Sequence, residues 1–301
     1  MTDKEKLMLE IMGKISNADA PIVFKGAMVT RLILSEYNFD KISRTTRDTD
    51  AHWTDSPPTM AHLVSEINRS LGSLQERYVA QSVRGYKEKQ SAGISIVDKA
   101  TNSELFSMDI SIKPVYGSRV YYHGDIGIKG VLPDEILADK LAVMSSNRLF
   151  QRMKDFIDVY ALSHCVNIQT SRILDVFATK KMELQSFDAF NNRITDMKHA
   201  YGKLRGVEGK PDFEVIYAYM DKFIRPFIGN TIVNNVWDSA AQVWFDDALQ
   251  MPQQETEKSE PTAKPSSFMA KLTDANEKAE SYNSTGGNTV SCKLLCNDHD
   301  R

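Results

Sequence analysis

The sequence predicts a mixed α/β first half joined to a mostly helical second half. Short apolar runs alternate with amphipathic stretches up to about residue 130. Residues 105–113 alternate cleanly: Phe106, Met108, Ile110 and Ile112 take one face, and Ser107, Asp109, Ser111 and Lys113 the other. That is the period of a half-buried strand. From Pro133 onward apolar residues recur at helical spacing.

Taken in order, residues 3–16 read as a helix with a loose stripe of Leu7, Leu9, Ile11, Met12 and Ile15, broken by 17–21. Ile22-Val23-Phe24 reads as a buried strand end, Lys25-Gly26-Ala27 as a turn, and 28–37 as a helix. Residues 44–53 end as a strand containing Asp48-Thr49-Asp50. Pro57-Pro58 marks a turn, after which Thr59 caps a helix running to about Tyr78, with Leu63, Ile67, Leu71 and Leu74 on one face. Strands are expected at 79–86, 94–97, 105–113 and 126–129, separated by Gly, Asn and Asp turn signals. Helices are expected at 133–146, 149–165, 169–180, 186–201, 212–227 and 235–249. The implied organisation is an α/β domain over 1–132, a helical domain over 133–250 and a tail over 251–301. The tail is rich in Ser, Thr, Glu, Lys, Asn, Gln and Pro, so it is expected to be disordered or a tether. No internal repeat occurs.

Composition bounds the function classes. The chain has 301 residues, 42% hydrophobic and 26% charged, which excludes a collagen-like, coiled-coil or wholly disordered protein. A net charge of -3 gives no global basic signal for nucleic acid. No apolar run reaches the ~18 residues of a membrane span. The N-terminus MTDKEKLMLEIM lacks the pattern of a signal peptide. Cys165, Cys292 and Cys296 are too few for a disulfide framework, and the expected compartment is the cytoplasm. Cys292, Cys296 and His299 lack a fourth ligand for a metal site and read as tail residues.

The chemistry concentrates in the first half. On a strand, Asp48 and Asp50 point to one side, about 7 Å apart. Asp109, on the polar face of the clearest strand, is the candidate third carboxylate. Gathered acidic groups repel one another and become sensible around Mg²⁺, which prefers hard oxygen ligands. Asp-x-Asp alone is commonplace. So is a glycine at a strand-to-helix turn, although it allows a phosphate to approach the backbone at a helix N-terminus. The order is more specific: strand, glycine turn, helix, Asp-x-Asp strand, Asp strand. It points to nucleotidyl transfer, with the triphosphate of an NTP on the turn and metals at the α-phosphate.

These residues carry a resemblance. Val23-Phe24-Lys25-Gly26-Ala27-Met28 followed by Arg47-Asp48-Thr49-Asp50 resembles the first motif of the AbiEii-type nucleotidyltransferases. These are the toxin halves of abortive-infection and type IV toxin–antitoxin systems. Members typically read Phe-x-Lys-Gly-Gly-Thr-x-Leu, then Arg-x-Ser-x-Asp-x-Asp; Arg44 to Asp50 fits the second part with Thr46 in place of Ser. Ala138-Asp139-Lys140-Leu141 is similar to the family's Ala-x-Lys-Leu helix. Arg152-Met153-Lys154-Asp155 through Asp158 to Leu162 resembles its Arg-x-Lys-Asp-x-x-Asp-Leu helix. The match spans roughly residues 5–165 by motif order.

The resemblance implies a polymerase-β-like nucleotidyltransferase domain. In it Lys25, Gly26 and Ala27 would form the nucleotide-binding turn, and Asp48, Asp50 and Asp109 would hold Mg²⁺ or Mn²⁺. Lys140 would face the phosphates, and either Asp155 or Asp158 would be the functional acid of the last motif. The implied acceptor is RNA, tRNA among the possibilities, with a separate antitoxin protein as partner and growth arrest or phage defence as the outcome. Ala27 departs from the family's second glycine, and Thr49 and Ala51 are small where bulky residues are common. Two alternatives stand beside this reading: a catalytically weak nucleotide-binding module, and an enzyme that modifies protein.

Elsewhere, His52, His62, His123 and His164 lack metal-ligand spacing, and Tyr201 to Phe245 supply aromatics that read as core. Lys180, Lys181, Arg193, Lys198, Lys203, Arg205 and Lys210 form either a solvated helix face or a basic surface for RNA.

Overall fold

Apolar alternation and glycine turns build a central sheet in the first half of the chain. The computed structural model describes residues 1–86, 91–228 and 234–246. The tail expected over 251–301, with Cys292 and Cys296, lies outside the described residues.

Helix α1 (Asp3–Asn17) opens with a capping box: Glu5 N–H donates to Thr2 Oγ1, and Thr2 N–H donates to Glu5 Oε2. It buries Met8, Leu9, Ile11, Met12 and Ile15. Strand β1 (Ile22–Lys25) leads into α2 (Gly26–Glu36), then the short β2 (Ser43–Arg44) and β3 (Asp48–Trp53). Helix α3 (Met60–Ser70) is capped by Thr59 as expected. It ends before Tyr78, because Gly72 at φ +56° turns the chain into a short 3-10 segment, Gly72–Glu76. Tyr78 already belongs to strand β4 (Tyr78–Arg84).

Strands β5 (Ser91–Asp98), β6 (Ser103–Ser111), β7 (Ser118–His123) and β8 (Ile126–Val131) complete the main sheet. Its order is β4-β5-β6-β3-β1-β8-β7. β3 runs parallel to β6 and β1 parallel to β8, while β1 and β3 are antiparallel. The sheet is therefore mixed, with the carboxylate strands β3 and β6 adjacent at its centre. β7 was not expected from the sequence; only Tyr121 of its residues is buried, so its apolar period is weak.

At Pro133 the chain turns helical. Helix α4 (Pro133–Met144) is followed by a 3-10 turn, Asn147–Gln151, then α5 (Met153–Ser163), the short β9 (Ile168–Gln169) and α6 (Thr170–Lys180). The helix expected at 186–201 breaks at Arg193, whose φ of -125° is not helical, into α7 (Asp188–Asn192) and α8 (Ile194–Gly202). Strand β10 (Val207–Glu208) pairs with β2, and α9 (Phe213–Ile224) follows. The helix expected at 235–249 is instead a hairpin of β11 (Asn235–Asp238) and β12 (Val243–Asp246) across the described residues. Asp238 Oδ1 accepts the N–H groups of Ala240 and Ala241 at 2.8 and 2.9 Å and stabilises the turn. β11 also pairs with β9, giving a three-stranded sheet.

One cluster of buried apolar residues runs from Met8 in α1 through Phe24, Ile110 and Leu141 to Phe223 and Trp237. Met1–Met251 cluster as one compact unit. The change from strands to helices at 132–133 coincides with the start of α4.

Candidate active site

The site is built where β1 turns into α2. Gly26 has φ +72°, and a Cβ there would overlap the carboxylate of Asp50. Lys25 and Asp50 are register partners across β1 and β3, so the turn lies directly against the Asp-x-Asp strand. Thr30 Oγ1 donates to Gly26 O at 2.9 Å and fixes the first turn of α2.

On β3, Thr49 and Ala51 are buried, which leaves Asp48 and Asp50 on the opposite side. Asp109 is the register partner of Asp50 on β6, and Asp48 pairs with Ser107. The strand order thus brings Asp48, Asp50 and Asp109 to one patch. Asp109 is exposed and ion-pairs with Arg84 of β4. The pair spans β5 at Gly93, the register partner of both residues, where no side chain intervenes. Burial, then the nearby charges of Asp48 and Asp109, push the Asp50 carboxyl above its ordinary range, against the opposing pull of Lys25.

Lys140 faces α5. Its ammonium lies 2.9 Å from Asp155 Oδ1 and 2.7 Å from Asp158 Oδ2, all within the core. Burial opposes its charge, but Asp158 and Asp155 outweigh it and hold Lys140 above the usual lysine range. Asp155 also accepts from Arg152 Nε at 2.8 Å, and Asp158 Oδ2 lies 3.2 Å from Arg44 Nη1. Both candidate acids of the last motif therefore grip Lys140. They differ in position: Asp155 lines the two cavities described next, whereas Asp158 lines neither.

A cavity of about 210 Å³ is lined by Lys25, Gly26, Asp50, Asp139, Lys140, Arg152 and Asp155. Beside it a groove of about 550 Å³ is lined by Ala27, Arg44, Arg47, Asp48, Asp50, Asp109, Arg152, Lys154, Asp155 and Arg205. The two share Asp50, Arg152 and Asp155. Burial pulls Lys25 below the usual lysine range, with Asp139 opposing at 3.8 Å.

The all-oxygen donor set of Asp48, Asp50 and Asp109 suits a hard divalent cation, and the like-charge pressure on Asp50 is what such a cation relieves. Among the described residues no three acidic, His or Cys side chains stand as a ready-made metal site. Asp109 is turned to Arg84, so ligation by all three requires that pair to open.

Sequence reasoning missed Asp139, whose only signal is its place between Ala138 and Lys140. Of the basic residues that read as either a solvated helix face or an RNA surface, four are engaged by neighbours. Lys180 is buried against Glu135 and Asp139, Arg193 pairs with Asp196, Lys198 with Glu214, and Lys210 covers the ring of Tyr201. Arg205 is the member that reaches the groove. It is brought there by the β2–β10 pairing and by Thr45 N–H donating to Gly206 O at 3.0 Å.

No helix among the described residues is long and apolar enough to cross a membrane. No curated protein matches the chain in sequence. Among solved structures, the chain is similar to MenT4, a nucleotidyltransferase toxin from Mycobacterium tuberculosis H37Rv, at 12% identity and a TM-score of 0.35, over 76% of this chain and 91% of that one. A family model described as the nucleotidyl transferase AbiEii toxin of type IV toxin–antitoxin systems matches residues 11–219. That match contains the glycine turn, all three strand carboxylates and the Lys140–Asp155–Asp158 cluster, and the chain belongs to this family of nucleotidyltransferase toxins.

Proposed function

We propose that this nucleotidyltransferase toxin moves a nucleoside monophosphate from an NTP to RNA, with tRNA the acceptor, in a metal-dependent reaction in the cytoplasm. The observation that carries the reading is the pair of joined cavities. The smaller, at the Gly26 turn, has the cations and the helix N-terminus that suit a triphosphate. The larger is rimmed by Arg47, Lys154 and Arg205, which form no ion pair among the described residues and suit a polyanionic acceptor. Their shared wall of Asp50, Arg152 and Asp155 is where donor and acceptor would meet.

Asp48, Asp50 and Asp109 would hold divalent ions, which when bound supply Lewis-acid stabilisation of charge on the phosphates. The chain's own groups position the reactants. Gly26 leaves room for the α2 N-terminus to approach the triphosphate, and Lys25 is the more loosely paired cation of the smaller cavity. Lys140, held by two carboxylates, contributes a fixed positive charge to the wall. The acceptor hydroxyl oxygen forms a bond to the α-phosphorus as the bond to pyrophosphate breaks, and the hydroxyl proton passes to solvent water. Arg152 then faces the developing charge from the shared wall.

The test is incubation of the protein with each α-³²P-labelled NTP, Mg²⁺ and total RNA, with Asp48→Ala alongside. Label is expected in RNA from one NTP, absent in the variant and in EDTA. Label on protein instead would favour the protein-modifying alternative. Nucleotide binding without transfer would leave a binding module.

A further inference from the structure

Beneath the smaller cavity a chain of polar groups, buried at Ser111, His52, Glu135 and Lys180, leads up to Asp139 and Lys25 in its wall. Ser111 Oγ lies 2.6 Å from His52 Nδ1. His52 Nε2 lies 3.1 Å from Glu135 Oε1, with both side chains fully buried. Glu135 accepts Lys180 Nζ at 3.2 Å through the same oxygen, and the N–H of Tyr116 at 2.9 Å through the other. Lys180, its side chain 1% exposed, donates to Asp139 Oδ1 at 2.6 Å. Asp139 presents its second oxygen, Oδ2, to Lys25 Nζ at 3.8 Å, inside the cavity.

Six side chains on five elements are thus linked: β6, β3, α4, α6 and β1. Burying Lys180 and Glu135 is expensive unless each is paired, and apolar residues of the same volume would usually be as stable. Stability therefore gives little reason for this set. Its geometry gives another. Glu135 and Asp139 are one helical turn apart on α4, so a single lysine from α6 bridges them. Lys180 occupies one oxygen of Asp139 and leaves the other free for Lys25. His52 packs against this anchor from β3, with Nδ1 2.6 Å from Ser111 Oγ and Nε2 3.1 Å from Glu135 Oε1.

We propose that Lys180, anchored by Glu135, is a positioning residue that holds Asp139 so that Asp139 aims the Lys25 ammonium into the nucleotide cavity. The inference rests on the reading of that cavity as the NTP site. It assigns Lys180 and Asp139 to nucleotide binding and not to the chemical step. Without the anchor, Asp139 Oδ1 turns to Lys25, pairs it fully and withdraws its charge from the phosphates.

The experiment compares wild type, Asp139→Asn, Lys180→Met, the double variant of these two, and Lys180→Arg in two readouts: NTP titration binding, and KM and kcat for label transfer. Lys180→Met and Asp139→Asn are expected to weaken NTP binding and raise KM about tenfold with kcat within about threefold of wild type, a loss of uniform binding. The two changes together should cost no more than either alone, because they act through one contact. Lys180→Arg, which keeps the donor to Asp139, should recover most of the affinity. A merely structural role would lower the active fraction and hence apparent kcat, leaving KM in place. Unchanged KM and NTP affinity in both variants, or a loss confined to kcat, overturns the proposal. If Lys180→Met does not fold, Asp139→Asn and Lys180→Arg decide it. Wild-type protein that binds NTP but transfers nothing overturns the transfer reading alone, and the binding constants then decide this one. Wild-type protein that binds no NTP overturns both.

Discussion

At residue scale, Gly26 and Asp50 have to be considered together. An alanine at φ +72° costs ~1–2 kcal/mol in backbone energy. Its Cβ would also fall on the Asp50 carboxylate, so the loss is not confined to the turn. Gly26→Ala is expected to lower the melting temperature and abolish nucleotide binding; a thermal melt and an NTP titration check both. Asp50→Asn should behave oppositely in stability. Burial and the charges of Asp48 and Asp109 raise the folded-state pKa of Asp50, so its ionised form costs stability at neutral pH. That cost falls as pH drops through the raised pKa and the group protonates. Asp50→Asn should therefore melt higher at pH 7, by about 1 kcal/mol or a few degrees, with the gain fading in acid and transfer lost at every pH. A melting temperature that falls, or a gain that persists in acid, would refute the electrostatic account. The acidic patch was legible because strand period and register are simple: Asp48 and Asp50 share a face, and β3 lies beside β6. Asp139, Glu135 and Lys180 were not, because nothing local distinguishes a charged helix residue that is buried by a neighbouring helix from one that is solvated.

Elements carry the next layer. The N-terminus of α1 clamps the loop that delivers the Asp-x-Asp strand. Glu5 Oε1 lies 3.0 Å from Arg31 Nη1 and accepts the N–H of Thr46 at 3.3 Å, and Arg31 donates to the carbonyl of Arg44. Burial alone would raise Glu5, but Arg31 and the N–H groups of Thr2 and Thr46 hold it down at about 2. A depressed carboxylate contributes stability that is fully present above its unfolded pKa of about 4.5 and lost as pH falls through about 2. Glu5→Gln should cost roughly 1–2 kcal/mol at pH 7, with the gap to wild type narrowing below pH 4.5 and nearly closed at pH 2. Urea unfolding across that range measures it; a gap independent of pH would mean that packing, not charge, holds the clamp. The element with the clearest period, β6, was legible. The β11–β12 hairpin was not: Val236, Trp237, Val243, Trp244 and Phe245 fit a buried helix as well as two short strands, and only the Asp238 turn separates the readings.

At the scale of the molecule, the question is whether the strand-rich and helical halves, expected as 1–132 and 133–250, melt apart. The charged links between them are buried or half-buried. Lys25 reaches Asp139, His52 reaches Glu135, and Arg44 reaches Asp158, which with Asp155 holds Lys140. Separating the halves would strand those groups in half-built surroundings, where a broken buried pair costs roughly 3–5 kcal/mol. The apolar cluster is also continuous across the boundary, from Phe24 and Ile110 to Leu141 and Phe156. Each half alone would expose its share of that core. We therefore expect one cooperative transition for the part carrying the site. The tryptophans divide usefully: Trp53 lies on β3, and Trp237 and Trp244 lie on the hairpin. In a variant retaining only Trp53, and in another retaining only Trp237, the fluorescence midpoint should coincide with the far-ultraviolet circular dichroism midpoint of that same variant. Lys140→Met should move both midpoints down together, because it leaves Asp155 and Asp158 without their shared cation. Separate midpoints in the parent, or a Lys140→Met shift confined to one probe, would show instead that the catalytic strands and the helices that complete their site fold as independent units.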